Sequence, residues 1–377
     1  MTHSPGILFS ILAFVLVIGP LVFVHELGHY LAGRWFGVKA EVFSIGFGRE
    51  IAGWTDRRGT RWKLGWLPLG GYVRFAGDMN PASQPDAAWL ALPPAERART
   101  FQAKPVWQRA IIVAAGPVIN FVVAIAILAG FAFAYGDLRT PTVVGAVMPD
   151  SAAAAAGLEP GDRITAVGGR QFETFDRLAR YVVLRPGERV EIDFVRDGQP
   201  MARQVTLGTT EVVDRFGNRF AIGRLGVEAT DPVVTPVSLV QAPLVGLRRA
   251  GELVRVTVDG IGQIVSGRRS VKDLNGPVGT ARIAGEQMTL GPDAFVALIA
   301  VVSINLGFIN LLPVPMLDGG HLLFYAIEAI RRRPLRPEAQ EWAFRGGLAA
   351  LVALILIVTV NDLGAFGLWK NLAGLIG

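Results

Sequence analysis

The sequence predicts a polytopic α-helical membrane protein of about four transmembrane helices. It also predicts a membrane-associated β-hairpin insert and one extracytoplasmic β-rich domain. Three observations carry this. Of the 377 residues, 51% are hydrophobic and only 18% charged, whereas soluble domains are nearer a quarter charged. The mean hydropathy is +0.41. Four apolar, nearly charge-free stretches approach the length needed to cross a bilayer. The net charge of +6 fits basic residues flanking spans on the cytoplasmic side, so no nucleic acid is expected as a partner. The absence of cysteine removes disulfides, thiolate nucleophiles and cysteine metal sites.

The spans follow in order. Residues 1–37 hold the first, apolar over 6–24 and continuing through His25-Glu26-Leu27-Gly28-His29. It lacks a basic leader and a cleavage site, and is read as retained. Residues 105–136 hold the second span, 293–317 the third, with a proline-broken end, and 342–361 the fourth. Between the first two, 38–104 begins with alternating apolar and polar residues around glycines, which predicts short strands and hairpins near the membrane, followed by a loop. Residues 140–229 read as the β-rich domain, and 232–292 as amphipathic helices on the outer membrane surface. Residues 318–341 read as a cytoplasmic loop and 362–377 as a periplasmic tail. Basic residues set the orientation. Arg34, Lys39, Arg57, Arg58, Arg61, Lys63, Lys104 and Arg109 place the first connection in the cytoplasm, as Arg331, Arg332, Arg333 and Arg336 do the third. Both termini and the β-rich domain then face the periplasm.

The chemistry concentrates in one pentad. The chain has four histidines, His3, His25, His29 and His321, and two of them are spaced H-E-x-x-H. Residues four apart share a helix face, so both imidazoles reach one zinc ion with Glu26 beside its water. Such zinc takes a third protein ligand and keeps an open position. Asp318, in Asn310-Leu-Leu-Pro-Val-Pro-Met-Leu-Asp-Gly-Gly, is the expected ligand, because a carboxylate after a long apolar run is costly unless paired or metal-bound. His321, three residues on, is a second candidate, more simply read as a polar neighbour. Asn120, inside the second span, reads as a helix–helix hydrogen-bonding residue. Pro313 and Pro315 break the third helix, as is tolerated where backbone lines a cavity or another chain docks.

Together these residues resemble the site-2 protease family of intramembrane zinc metalloproteases, in particular the regulator of sigma-E protease type. The resemblance rests on His25 to His29, Gly116-Pro-Val-Ile-Asn120, Gly276-Pro-Val-Gly279, Asn310 to Gly320, and a PDZ signature, Gly157-Leu-Glu-Pro-Gly-Asp162. It implies one catalytic Zn2+ on His25, His29 and Asp318, with Glu26 as base. Asn310, Pro313 and Pro315 would help handle substrate. It further implies a bacterial inner-membrane enzyme that cleaves single-span membrane proteins, such as a pre-trimmed anti-sigma factor in envelope stress signalling, and remnant signal peptides. The middle domain would be PDZ-like and bind a peptide or protein C-terminus. Gly223-Arg-Leu-Gly-Val227 resembles the capture loop through Gly223, Leu225, Gly226 and Val227, and reads equally as a plain strand turn. The sigma-E type usually has two tandem PDZ domains, and this chain has room for one. The rival readings are a non-catalytic PDZ-containing membrane adaptor and a zinc-dependent lipid enzyme or metal transporter. Intact Glu26 and the concentration of polar residues at one site speak against both.

Overall fold

The computed structural model describes residues 6–78, 91–213, 219–266, 276–333, 335 and 337–365. Along the chain, α1 (Ile7–Trp35) leads into β1 (Ala40–Thr55), β2 (Arg61–Phe75), α2 (Pro94–Arg97) and α3 (Val106–Tyr135). Then come β3 (Asp137–Arg139), β4 (Val144–Val147), α4 (Ala152–Ala155), β5 (Arg163–Val167), β6 (Arg170–Gln171), α5 (Phe175–Val183), β7 (Arg189–Arg196) and β8 (Gln199–Thr206). The strands β9 (Gly208–Val213), β10 (Arg219–Arg224), β11 (Val227–Ala229) and β12 (Val233–Thr235) precede α6 (Ala242–Val265), α7 (Pro277–Thr289), α8 (Pro292–Asn310), α9 (Asp318–Arg331) and α10 (Pro337–Ala365). The chain forms two compact units, Phe131–Ala242 and the remainder.

In the helical unit, α1, α3, α8 and residues Glu338–Val360 of α10 are long and apolar enough to cross a membrane, yet only 17–33% of each apolar window is buried by protein. Apolar surface left exposed on this scale needs lipid around it. Where helices touch, small residues let backbones approach. A Cβ on Gly28 of α1 would lie 2.5 Å from the Ala115 carbonyl of α3, and one on Gly246 of α6 would lie 2.6 Å from that of Ile125.

The 38–75 segment forms two strands, each folded back on the sheet. Residues 42–45 lie between 61–64 on one side and 71–74 on the other, while 61–64 also pair with 52–55. Phe43, fully buried, stacks on Trp62 at 4.3 Å and anchors this sheet to Tyr30 of α1.

The helical unit departs from expectation in one connection and adds detail to two other segments. The third span ends at Asn310, and 311–317 is an irregular reversal with Met316 at φ +83°. Residues 318–331 of the expected loop are the helix α9, with Tyr325 buried. Gly319 and Gly320 fit there because their missing side chains would strike the Leu311, Leu312 and Val314 carbonyls. The pieces α6 and α7 are helical, as expected, and they also pack on other helices. Ala250 of α6 packs with Ala124, Ala300 and Ile304, and Thr257 donates to the Asn305 amide oxygen at 2.9 Å. Ala284 of α7 packs on Ala13, Val17 and Leu21 of α1. The buried Asp362 carboxylate of α10 accepts from Gly276 and Gly279 N–H at 3.2 and 2.8 Å, capping α7 where its dipole favours an anion. Sequence periodicity shows that a helix is amphipathic, and does not distinguish a lipid partner from another helix.

The other unit has a four-stranded antiparallel sheet in the order β6-β5-β7-β8, with the pairs β4–β11, β9–β10 and β3–β12. Its core is formed by Ile164, Val167, Ile192, Phe194 and Val205 from the sheet and by Leu178 and Val182 from α5. The 157–162 turn is locked by Arg196. Its guanidinium donates to both Asp162 oxygens at 2.7 and 2.8 Å and to the Gly157 carbonyl at 2.7 Å. Arg196 holds the Asp162 carboxyl below its ordinary range, outweighing the effect of desolvation.

A carboxyl with a depressed folded pKa adds stability above its unfolded value, and that stability is lost as pH falls through the folded value. Protection of β5 and β7 amides from hydrogen exchange, corrected for intrinsic rates, should therefore decline below about pH 4. The Asp162→Asn variant should start less protected and decline less. An equal slope in both would refute the assignment.

Candidate metal centre

Helical spacing puts His25 and His29 on one face of α1, and the reversal after α8 brings Asp318 to them. The His25 and His29 Nε2 atoms lie 3.2 Å apart. His25 Nε2 is 3.1 Å from Asp318 Oδ2, and His29 Nε2 is 3.5 Å from Asp318 Oδ1. Zinc holds such donors at about 2.0–2.2 Å, so tetrahedral ligands stand about 3.3–3.5 Å apart. The triangle has the size and the donor set of a zinc site.

The outer ring nitrogens are also engaged. His29 Nδ1–H donates to the Ile112 carbonyl at 2.9 Å, which leaves Nε2 a lone pair for the centre. Pro117 of α3 has no N–H for the Val113 carbonyl, so the helix is loosened at this level. His25 Nδ1 lies 3.1 Å from the buried Asn120 amide nitrogen, while Asn120 Oδ1 is buried without a partner. Turning the amide by 180° sets its oxygen against the imidazole, since its nitrogen and oxygen are assigned from their partners. Asn120 Oδ1 then accepts from His25 Nδ1–H, and His25 Nε2 also faces the centre unprotonated. Ser303 of α8 donates to the Asn120 carbonyl at 2.8 Å. Asn120 thus joins three helices at the site, a role beyond the helix–helix contact its sequence setting suggested. The available signal was an amide within an apolar run, one turn beyond Gly116-Pro117.

Glu26 is 8% exposed. Its carboxylate lies beside the Val73 N–H of β2, and a Cβ on Gly71 would lie 2.9 Å from its Cγ. The β insert therefore packs directly on the pentad. A cavity of about 60 Å3 is lined by His29, Asp318 and His321, with walls of Val73, Phe75, Phe101, Ile112 and Val113. His321 is outside the donor triangle and packs on Phe344 at 5.1 Å. His3 lies outside the described residues.

Asn310 ends α8, Pro313 is exposed, and Pro315 lies against Gly347 of α10. Among the described residues, none of the three makes a hydrogen bond to the metal triangle. In the β-rich unit, Gly223, Leu225, Gly226 and Val227 line a groove of about 150 Å3 with Phe175, Ala179 and Val183 of α5. Gly226 has φ +82°.

Two imidazoles, a carboxylate and an adjacent glutamate define a zinc-dependent hydrolase. The chain belongs to Peptidase family M50, whose model matches residues 13–354. It is 45% identical to "Putative zinc metalloprotease Atu1380" of Agrobacterium fabrum, over 94% of this chain and 96% of that protein. It is 37% identical to "Metalloprotease MmpA" of Caulobacter vibrioides, over 98% and 99% of the two chains. The PDZ domain of the SdrC-like protein from Listeria monocytogenes matches 24% of this chain and 88% of its own length, at 22% identity and a TM-score of 0.19. The protein is a multi-pass membrane metalloendopeptidase that depends on zinc.

A Cβ on Gly116 would lie 2.2 Å from His29 Nε2. The Gly116→Ala variant should therefore bind zinc at least about 10-fold more weakly, measured by chelator competition, while its helical content is retained. Unchanged affinity would show that His29 does not point its Nε2 to the metal.

Proposed function

We propose that this enzyme cleaves single-span membrane proteins within or beside their transmembrane segment, with zinc on His25, His29 and Asp318 and Glu26 as the catalytic base. The observation that carries this is the donor triangle on a helix apolar enough to cross the bilayer. Zinc supplies Lewis acidity and makes water a stronger nucleophile. Glu26 takes the proton of the attacking water and delivers it to the leaving amine. Asn120 and the Ile112 carbonyl fix the two imidazoles. Gly71 gives Glu26 its room, and Val73 N–H orients its carboxylate.

A helical substrate shields its peptide bonds and must become extended to be cut. The 71–74 strand, paired on one side with 42–45, and the reversal at 311–317, which follows Asn310 and contains Pro313 and Pro315, are the surfaces that would hold such a chain. The β-rich unit serves as a PDZ-like periplasmic domain. Its groove, closed by the Gly223–Val227 loop, would take a peptide or protein C-terminus. The substrate class includes pre-trimmed anti-sigma factors and remnant signal peptides, which places the enzyme in regulated proteolysis at the bacterial inner membrane. The basic connections are cytoplasmic in this arrangement.

The test compares purified wild type with Glu26→Gln on a tagged single-span substrate in detergent. The variant should keep its zinc and lose about 10²–10⁴-fold in cleavage rate. Cleavage by the variant at the wild-type rate would remove Glu26 from the mechanism.

A further inference from the structure

Hydrolysis consumes one water per peptide bond, with its hydroxyl going to the acyl carbon and its proton to the amine. Inside an apolar bundle that water needs a polar place to wait. The 60 Å3 cavity beside the triangle is well above the roughly 10–15 Å3 that one water requires. Of its eight lining residues, five are apolar and three polar. Two of the three are already engaged. Asp318 faces both imidazoles, and His29 donates from Nδ1 to Ile112 while its Nε2 faces the triangle.

His321 is different. It lies one turn after Asp318 on the same face of α9. Its ring is held by packing on Phe344 and, at 6.4 Å, on Tyr325. It makes no hydrogen bond to any described residue. His321 is half-buried at the cavity wall, and its imidazole always carries at least one N–H donor that calls for a partner.

Resting on the protease reading above, we propose that this cavity stores the hydrolytic water and that His321 is the positioning residue that holds it beside the metal ligands. The water lost at each turnover is replaced from this store, so His321 acts on the supply of nucleophile and leaves substrate binding alone.

The test uses the full-length zinc protein and brief hydroxyl-radical labelling read by mass spectrometry. Radicals generated from bound water oxidise the side chains next to it. Phe75 and Phe101 are 3% and 0% exposed and line the cavity. Phe43 and Phe194, each 1% exposed, lie outside the cavity lining and serve as controls. Wild type should label at Phe75 and Phe101 well above the controls. His321→Phe, which fills the space with carbon, should lose that excess, and His321→Gln should keep it. In turnover, His321→Phe should lower kcat about 10- to 100-fold with KM and zinc content unchanged, and His321→Gln should recover much of the loss. Labelling of Phe75 and Phe101 no greater than the controls in wild type would overturn the store, whatever the variants do. So would a His321→Phe enzyme with wild-type kcat. Failure of the protease reading would show separately, as Glu26→Gln cleaving at the wild-type rate.

Discussion

In an apolar bundle a polar atom without a partner is a direct cost, because neither lipid nor packed side chains can hydrogen-bond to it. The centre of this protein is organised around that constraint. Two imidazoles and a carboxylate face one point, and each imidazole's far nitrogen is met by a polar group, the Ile112 carbonyl or the Asn120 amide. The arrangement requires backbones in near contact. Gly28 and Gly116 supply this on opposite helices, the first against Ala115 and the second against His29 itself. Replacing either by a residue with a side chain separates α1 from α3 or intrudes on a ligand.

The same constraint extends outward. Asn120 reaches α8 through Ser303, and Asp318 can start α9 because Gly319 and Gly320 let the reversal fold tightly beneath it. The β insert presses on Glu26 through Gly71 and Val73. The pentad is thus braced by α3, by Asp318 at the start of α9 and by the β insert, with α8 behind Asn120. Farther from the site, Asp362 ties the start of α7 to α10, and α7 in turn packs along the apolar half of α1.

The four span-length helices were legible in the sequence because a long charge-free run is seldom accommodated anywhere but in a bilayer. The zinc chemistry was legible because H-E-x-x-H spacing is geometric. What stayed hidden depended on contacts between remote segments. The helix α9 was concealed by its modest hydropathy and the basic run that ends it, although His321, Leu322 and Tyr325 recur at helical spacing. The placement of α6 and α7 could not be read, since Gly246, Ala250 and Ala284 signal close packing without naming the partner. Asn120 carried a polar signal but no direction. The reversal at Met316 has a positive φ at a non-glycine residue, which no local propensity indicates.

The central claim is that the metal is held by two imidazoles and the Asp318 carboxylate, with His321 left off the ion. Zinc K-edge X-ray absorption of the purified protein tests it most directly. The account predicts two imidazole ligands and the remaining first-shell scatterers as oxygen, all at about 2.0–2.2 Å. Three imidazoles in that shell would place His321 on the zinc and contradict it.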